Sequence, residues 1–284
     1  MDIEQIVREV VEQALKQKGM APKTSASEPL SGEELVYTRD KVVGVDEPVD
    51  HETVAKAQQI TPARIGIGRA GTRMKTKSYL DFRLDHAAAQ DAVKKGVSDA
   101  FLEKLGLPVL KTKAASLDEY LMNLDAGRVL CDESAKWLKE NGDKGRQVQI
   151  IVSDGLSTTG IEENIPNLLP SLEQGLKMKN ISMGKPVFIK RSRVWVQDHV
   201  ASLVDCDLVI SLIGERPGLA TSKSVSAYLI YKPTEDSVEA DRTVISNIHD
   251  GGVPPVEAGA YLSDVIAEML DKKASGVTFA QMKD

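Results

Sequence analysis

The chain has 284 residues, enough for one large domain or two ordinary ones at roughly 100–200 residues each. Apolar residues make up 42%, which excludes wholesale disorder, and aromatics only 4%, so a core must rest on Val, Leu, Ile and Ala. Lys and Arg number 36 against 42 Asp and Glu, and a net charge of −6 argues against a free-standing nucleic-acid binder.

Residues 1–18 place Ile3, Ile6, Val7, Val10, Val11, Ala14 and Leu15 at helical spacing, with Glu4, Arg8, Glu12 and Lys16 on the other face. A lone helix this short is marginal in water. It reads as an amphipathic docking helix for another protein, the alternative being a cap on the body of this chain. Residues 19–50 are polar and lack periodicity, and they read as a linker. Residues 51–145 read as a small, mostly helical domain, with helices predicted over 51–60, 79–93, 97–105, 117–124 and 128–138 and no clear strand. From residue 146 to 284 the pattern changes. Val148-Gln149-Ile150-Ile151-Val152, Val187-Phe188-Ile189 and residues 208–213, 227–231 and 243–248 read as strands. Helical patterns lie between them, and another follows near 256–270. Short apolar strands alternating with helices predict an α/β fold with a largely parallel sheet.

Open α/β sheets hold ligands beyond the carboxyl ends of their strands. Three glycine-bearing polar segments would meet there: residues 153–158, 214–218 and 246–252. Plain turn chemistry is the alternative, with Asp154 capping a helix and Glu215 paired to its neighbour Arg216. Sharper motifs fail. Gly66-Ile67-Gly68-Arg69-Ala70-Gly71 spells G-x-G-x-x-G, but Pro62 interrupts the approach and a basic stretch follows, so it reads as a contact loop at a subunit interface rather than a dinucleotide fingerprint. There is no phosphate-binding P-loop and no nucleophile elbow. The four histidines, His51, His86, His199 and His249, show no ligand spacing, so no metal site is expected. Cys131 and Cys206 are too few for a disulfide framework, fit a reducing compartment, and Cys131 reads as core. No apolar run reaches membrane-spanning length, and residues 1–4 do not open a secretory signal.

Taken together, Ala63 to Gly71 (A-R-I-G-I-G-R-A-G), Val152 to Thr158 (V-S-D-G-L-S-T), Gly214 to Leu219 (G-E-R-P-G-L), Glu239 to His249 (E-A-D-R-T-V-I-S-N-I-H) and Pro254 to Ala258 (P-P-V-E-A) resemble the small, or light, subunit of ethanolamine ammonia-lyase. The resemblance implies a helical part followed by a Rossmann-like domain. It implies adenosylcobalamin as cofactor and radical conversion of ethanolamine to acetaldehyde and ammonia. Catalytic residues are then expected on a large partner subunit, in a hetero-oligomer built as a trimer of heterodimer pairs. The family's corrinoid-binding positions fall on Val194, flanked by Arg193, on Glu215, flanked by Gly214 and Arg216, and on Val244, where the family usually has cysteine. The resemblance also implies a cytoplasmic enzyme often housed in a bacterial microcompartment, with residues 1–18 as its shell tag. Asn247-Ile248-His249-Asp250-Gly251-Gly252 lies one residue from the D-x-H-x-x-G signature of a cobalt-ligating histidine, and His249 is not expected to ligate cobalt. Competing readings are a stand-alone nicotinamide-dependent oxidoreductase, expected to bind NAD(P) by itself, and a non-catalytic assembly scaffold.

Overall fold

Asp50 caps the first helix, α1 (His51–Ile60), by accepting from the Thr53 N–H at 3.0 Å. The computed structural model describes residues 41–282, so the docking helix of residues 1–18 and most of the linker lie outside the described residues. After α1 the glycine motif makes a turn and a two-stranded hairpin, β1 (Arg69–Ala70) and β2 (Arg73–Met74). Gly66 and Gly68 both hold φ near +65°, at 63° and 69°. A Cβ on Gly68 would collide with the Gly44 carbonyl, and the Gly44 N–H donates to the Gly66 carbonyl at 2.7 Å. These glycines therefore serve backbone approach and left-handed turns, and no helix N-terminus follows them directly.

Helix α2 (Thr76–Lys94) comes next, then α3 (Asp99–Leu105), capped by Ser98 and closed by Gly106 at φ 65°. Strand β3 (Val109–Lys111) follows, a strand that its short sequence pattern did not disclose. Helix α4 (Leu117–Met122), a 3-10 turn at Asp125–Gly127 and helix α5 (Asp132–Asn141) complete this part. The helix predicted over 128–138 therefore starts later. Leu130 instead bridges Thr112, and Cys131, half-buried rather than core, is the α5 N-cap.

The remaining elements are β4 (Val148–Ser153), α6 (Thr158–Met178), β5 (Val187–Lys190), α7 (Val196–Val204), β6 (Leu208–Gly214), β7 (Val225–Tyr231), β8 (Thr243–Ile248), α8 (Pro255–Lys272) and the short α9 (Gly276–Gln281). The sheet runs β3-β5-β4-β6-β7-β8. Its first four strands are parallel, and β7 is antiparallel to both neighbours. The α/β fold is as the pattern predicts; the reversed β7 is the departure from a parallel sheet. From Val43 onward the chain forms one compact unit.

Every residue of β4 and β6 is buried, so both faces need cover. On one face Ile150, Val152, Ile210, Leu212 and Leu229 pack against Ile165, Leu168 and Leu172 of α6 and Leu262 and Ile266 of α8. On the other, Ile151, Ile189 and Val209 pack against Leu138 of α5 and Val196 and Val200 of α7. The period-2 alternation of each strand thus feeds two cores at once.

The α5–α7 side carries a titrating group. The His199 ring accepts the Leu130 N–H on Nδ1 at 3.0 Å, and burial, aided by the Lys113 ammonium, lowers its pKa. A histidine so lowered keeps its full stabilising contribution above an unfolded value of about 6.5, and loses it as pH falls through that value toward the folded one. Thermal melting between about pH 7.5 and 5.5 is expected to show a steeper loss for the wild type than for His199→Asn, which keeps an acceptor but does not titrate. Equal slopes would contradict this.

Candidate functional site

Parallel strands deliver their loops to one edge, and here four strand ends arrive together. Ser153 pairs with Ile213, Gly214 with Val225, and Val225 with Ile248. The carboxyl ends of β4, β6 and β8 therefore meet the start of β7. At this edge lies a cavity of about 410 Å³ that runs onto the face of β7 and β8. Arg193, Val194, Gly214, Glu215, Arg216 and Val244, the six residues singled out in the sequence, all line it. Leu156, Trp195, Ile213 and Tyr228 make its walls largely apolar, and Tyr120 and Arg242 reach in from elsewhere.

The loop after β4 turns on Ser157, whose hydroxyl accepts from the Gly160 N–H at 2.9 Å and starts α6. Asp154 is not that cap. Its carboxylate accepts from the Arg191 N–H at 2.7 Å, and burial raises its pKa. Gly214 sits against the Asp154 and Ser157 carbonyls so closely that a Cβ would overlap both. This contact fixes the β6 end against the β4 loop.

Glu215 does not pair locally with Arg216. Its Oε1 accepts from the Asn247 N–H at 2.8 Å and from the Ser226 hydroxyl, whose oxygen lies 2.9 Å from the Ser246 hydroxyl and can accept from it. One carboxylate oxygen is thus fixed by the starts and ends of three strands. Oε2 has no hydrogen-bond partner among the described residues, so it is available to a ligand donor at the cavity wall. The 246–252 segment contributes to the cavity only through these contacts. His249 is turned to its own loop: its Nδ1 accepts from the Gly251 N–H at 3.0 Å and Nε2 meets the Asn247 side-chain oxygen at 2.8 Å. Both ring nitrogens are engaged, which leaves neither as a ready metal ligand.

Arg193 lies over the Tyr120 ring, 4.2 Å from its centroid, and donates to the Tyr120 carbonyl at 2.7 Å. Arg128 covers the Trp195 ring in the same way, at 4.4 Å. The 193–195 segment is therefore clamped between two arginine–aromatic stacks. Burial pushes the Tyr120 phenol well above its ordinary range, and its hydroxyl donates to the Ser192 carbonyl at 3.0 Å. At the far end, Arg242 donates to both oxygens of Asp198 at 2.6 Å and to the Val238 carbonyl at 2.8 Å. Burial raises the Asp198 carboxyl, and the Arg242 guanidinium offsets part of that. Val244, opposite Tyr228 in the β7–β8 ladder, is 44% exposed at the mouth.

The family model for the ethanolamine ammonia-lyase light chain (EutC) matches residues 51–280, which include every residue of the cavity. The chain belongs to the ethanolamine ammonia-lyase light chain family. It is 48% identical over 233 residues to the ethanolamine ammonia-lyase small subunit of Listeria monocytogenes serovar 1/2a, covering 82% of this chain and 80% of that protein. The small subunit of Clostridium perfringens is 49% identical over 233 residues, with 82% and 79% covered. That of Clostridium tetani is 44% identical over 289 residues, with 97% of each chain covered.

For this light-chain family member, sequence reasoning missed Tyr120 and Tyr228. Tyr120 lies more than 70 residues before the arginine it supports, in a helix with no motif. Arg242 stood in the E-A-D-R-T segment, where an arginine beside an apolar strand was a usable signal. Among the described residues no group of three His, Cys, Asp or Glu side chains could hold a metal ion, and no helix is long and apolar enough to cross a membrane.

Proposed function

We propose that this chain is the small subunit of an adenosylcobalamin-dependent ethanolamine ammonia-lyase and that its cavity covers one side of the cofactor. The observation that carries the reading is the gathering of Arg193, Val194, Gly214, Glu215, Arg216 and Val244 around one cavity in a member of this family. The residues present suit a corrinoid, a broad apolar disc fringed by amides. Leu156, Val194, Ile213 and Val244 offer apolar surface, and Oε2 of Glu215, without a partner among the described residues, offers an acceptor to an amide N–H. A corrinoid exceeds the drug-sized ligands that cavities of about 300–1,000 Å³ enclose, so a cavity of about 410 Å³ suits part of one, the rest lying on a large partner subunit.

When bound, adenosylcobalamin supplies the radical chemistry that converts ethanolamine to acetaldehyde and ammonia. The residues of this chain position it. Glu215 orients an amide edge, Val194 and Trp195 pack the rim, and the apolar wall, once covered by the large subunit, keeps water from the reacting centre. Catalytic groups that touch ethanolamine belong to the large subunit, in a trimer of heterodimer pairs. In the cell the complex is cytoplasmic and enclosed in a microcompartment, addressed there by residues 1–18. A reporter carrying residues 1–18 that stays diffuse in shell-forming cells would contradict the last point.

Glu215→Ala is expected to weaken cobalamin binding to the two-subunit complex by about 1–3 kcal/mol, the range for losing a hydrogen bond to a charged group in a buried site. Spectrophotometric titration measures it. Glu215→Gln keeps its one oxygen for Asn247 and Ser226 and turns an NH2 donor toward the cavity, so it is expected to lose about as much. Unchanged affinity in Glu215→Ala would remove the carboxylate from the site.

A further inference from the structure

Arg191 adopts φ +57°, a conformation that L side chains avoid, and it does so at the entrance to the segment carrying Arg193, Val194 and Trp195. Something must hold it there. The Asp154 carboxylate is placed to do so, accepting from the Arg191 N–H at 2.7 Å. The neighbouring Ser153 hydroxyl donates to the same Asp154 oxygen at 3.3 Å and receives the Ser192 N–H at 3.4 Å. Both residues stand at the end of β4, the strand flanked by β5 and β6 in the middle of the sheet. The other side of the segment is tied as well. The Thr112 hydroxyl donates to the Arg191 carbonyl at 2.9 Å, and the Arg193 N–H donates to the Gly127 carbonyl at 2.8 Å. From Arg193 the chain passes directly into the first turn of α7, through the Val196 N–H to the Arg193 carbonyl at 3.1 Å.

The Arg191 guanidinium also donates to the Ala115 carbonyl at 2.9 Å, but Asp154 is the side chain that takes the Arg191 N–H and so ties its strained backbone angle to the end of β4, and that angle sets where the next four residues point. We propose that Asp154 is a positioning residue of the cofactor site: its carboxylate holds Arg191 in the left-handed conformation and so aims Arg193, Val194 and Trp195 into the cavity. The inference rests on the reading of the cavity as a cofactor site. What it needs from Asp154 is an acceptor at one place, not a negative charge. Asparagine supplies that acceptor without charge. Glutamate keeps the charge and displaces the acceptor by one methylene.

The test uses the full chain in complex with its large subunit, in the wild type and in Asp154→Ala, Asp154→Asn and Asp154→Glu. Hydrogen exchange of the amides of residues 191–195 is followed without cofactor, and hydroxocobalamin affinity is titrated separately. Asp154→Ala and Asp154→Glu are expected to speed exchange across this segment and to weaken hydroxocobalamin roughly tenfold, about the value of one positioning hydrogen bond. Asp154→Asn is expected to match the wild type in both. Should Asp154→Ala fail to assemble, Asp154→Glu carries the comparison. Wild-type exchange in the Ala or Glu variants, or fast exchange in Asp154→Asn, would overturn the proposal. Fast exchange with unchanged hydroxocobalamin affinity would leave Asp154 holding the segment and overturn the reading of the cavity instead.

Discussion

Arg242→Met is expected to destabilise the folded chain by about 3–5 kcal/mol, the range for breaking a buried ion pair from one side. The guanidinium is only 3% exposed and Asp198 15% exposed, so solvent gives little screening. Removing it leaves the Asp198 carboxylate of α7 buried and unpaired, and leaves the Val238 carbonyl and the Gln197 side-chain oxygen without their Arg242 donor. Gln197 also donates to the Tyr228 carbonyl at 2.8 Å, so the disturbance passes to the cavity wall. Urea unfolding measures the effect. Asp198→Leu combined with Arg242→Met is expected to recover much of the loss, because the uncompensated charge is then gone. A single variant within about 1 kcal/mol of the wild type would show that the pair is not what holds the 3-10 turn Glu239–Asp241 and β8 against α7.

Gly214→Ala is expected to cost about 3 kcal/mol, at the upper end for inserting a methyl group into a packed site. Many overpacked positions find relief by moving a side chain. This one cannot, because the new Cβ would overlap two backbone carbonyls, those of Asp154 and Ser157. The β4 loop and the β6 end must separate, and Glu215, the next residue, moves with them. The Leu156 N–H then loses its 2.9 Å bond to the Gly214 carbonyl. The variant is expected to lower the urea midpoint and to weaken cobalamin binding together. Near-wild-type stability would show that the two loops part freely.

The fold class was legible because buried strands have a simple signature. Val148 to Val152 and Leu208 to Ile213 are apolar but for Gln149 and Ser211, with no polar alternation, and both are covered on two faces. The direction of β7 was not legible, since a strand of Val, Ala, Leu and Ile reads alike whichever way it runs. Strand β3 was hidden because only Leu110 of its three residues is buried. At the site, glycine-bearing loops after strands marked the edge of the sheet, and the resemblance named Val194, Glu215 and Val244, which with their flanking Arg193, Gly214 and Arg216 line one cavity. Their partners were not visible. Local rules pair Glu215 with Arg216 and make Asp154 a cap, but folding brings Asn247 to the first and Arg191 to the second. Contacts across 32 and 37 residues leave no spacing to read.

Reconstitution tests the account most directly. Purified chain, purified large subunit, adenosylcobalamin and ethanolamine are combined, and each protein is then omitted in turn while acetaldehyde is followed. Acetaldehyde is expected only when both proteins are present, at a rate that saturates with adenosylcobalamin. Turnover by this chain alone, or full turnover by the large subunit without it, would contradict a cofactor site shared between two subunits.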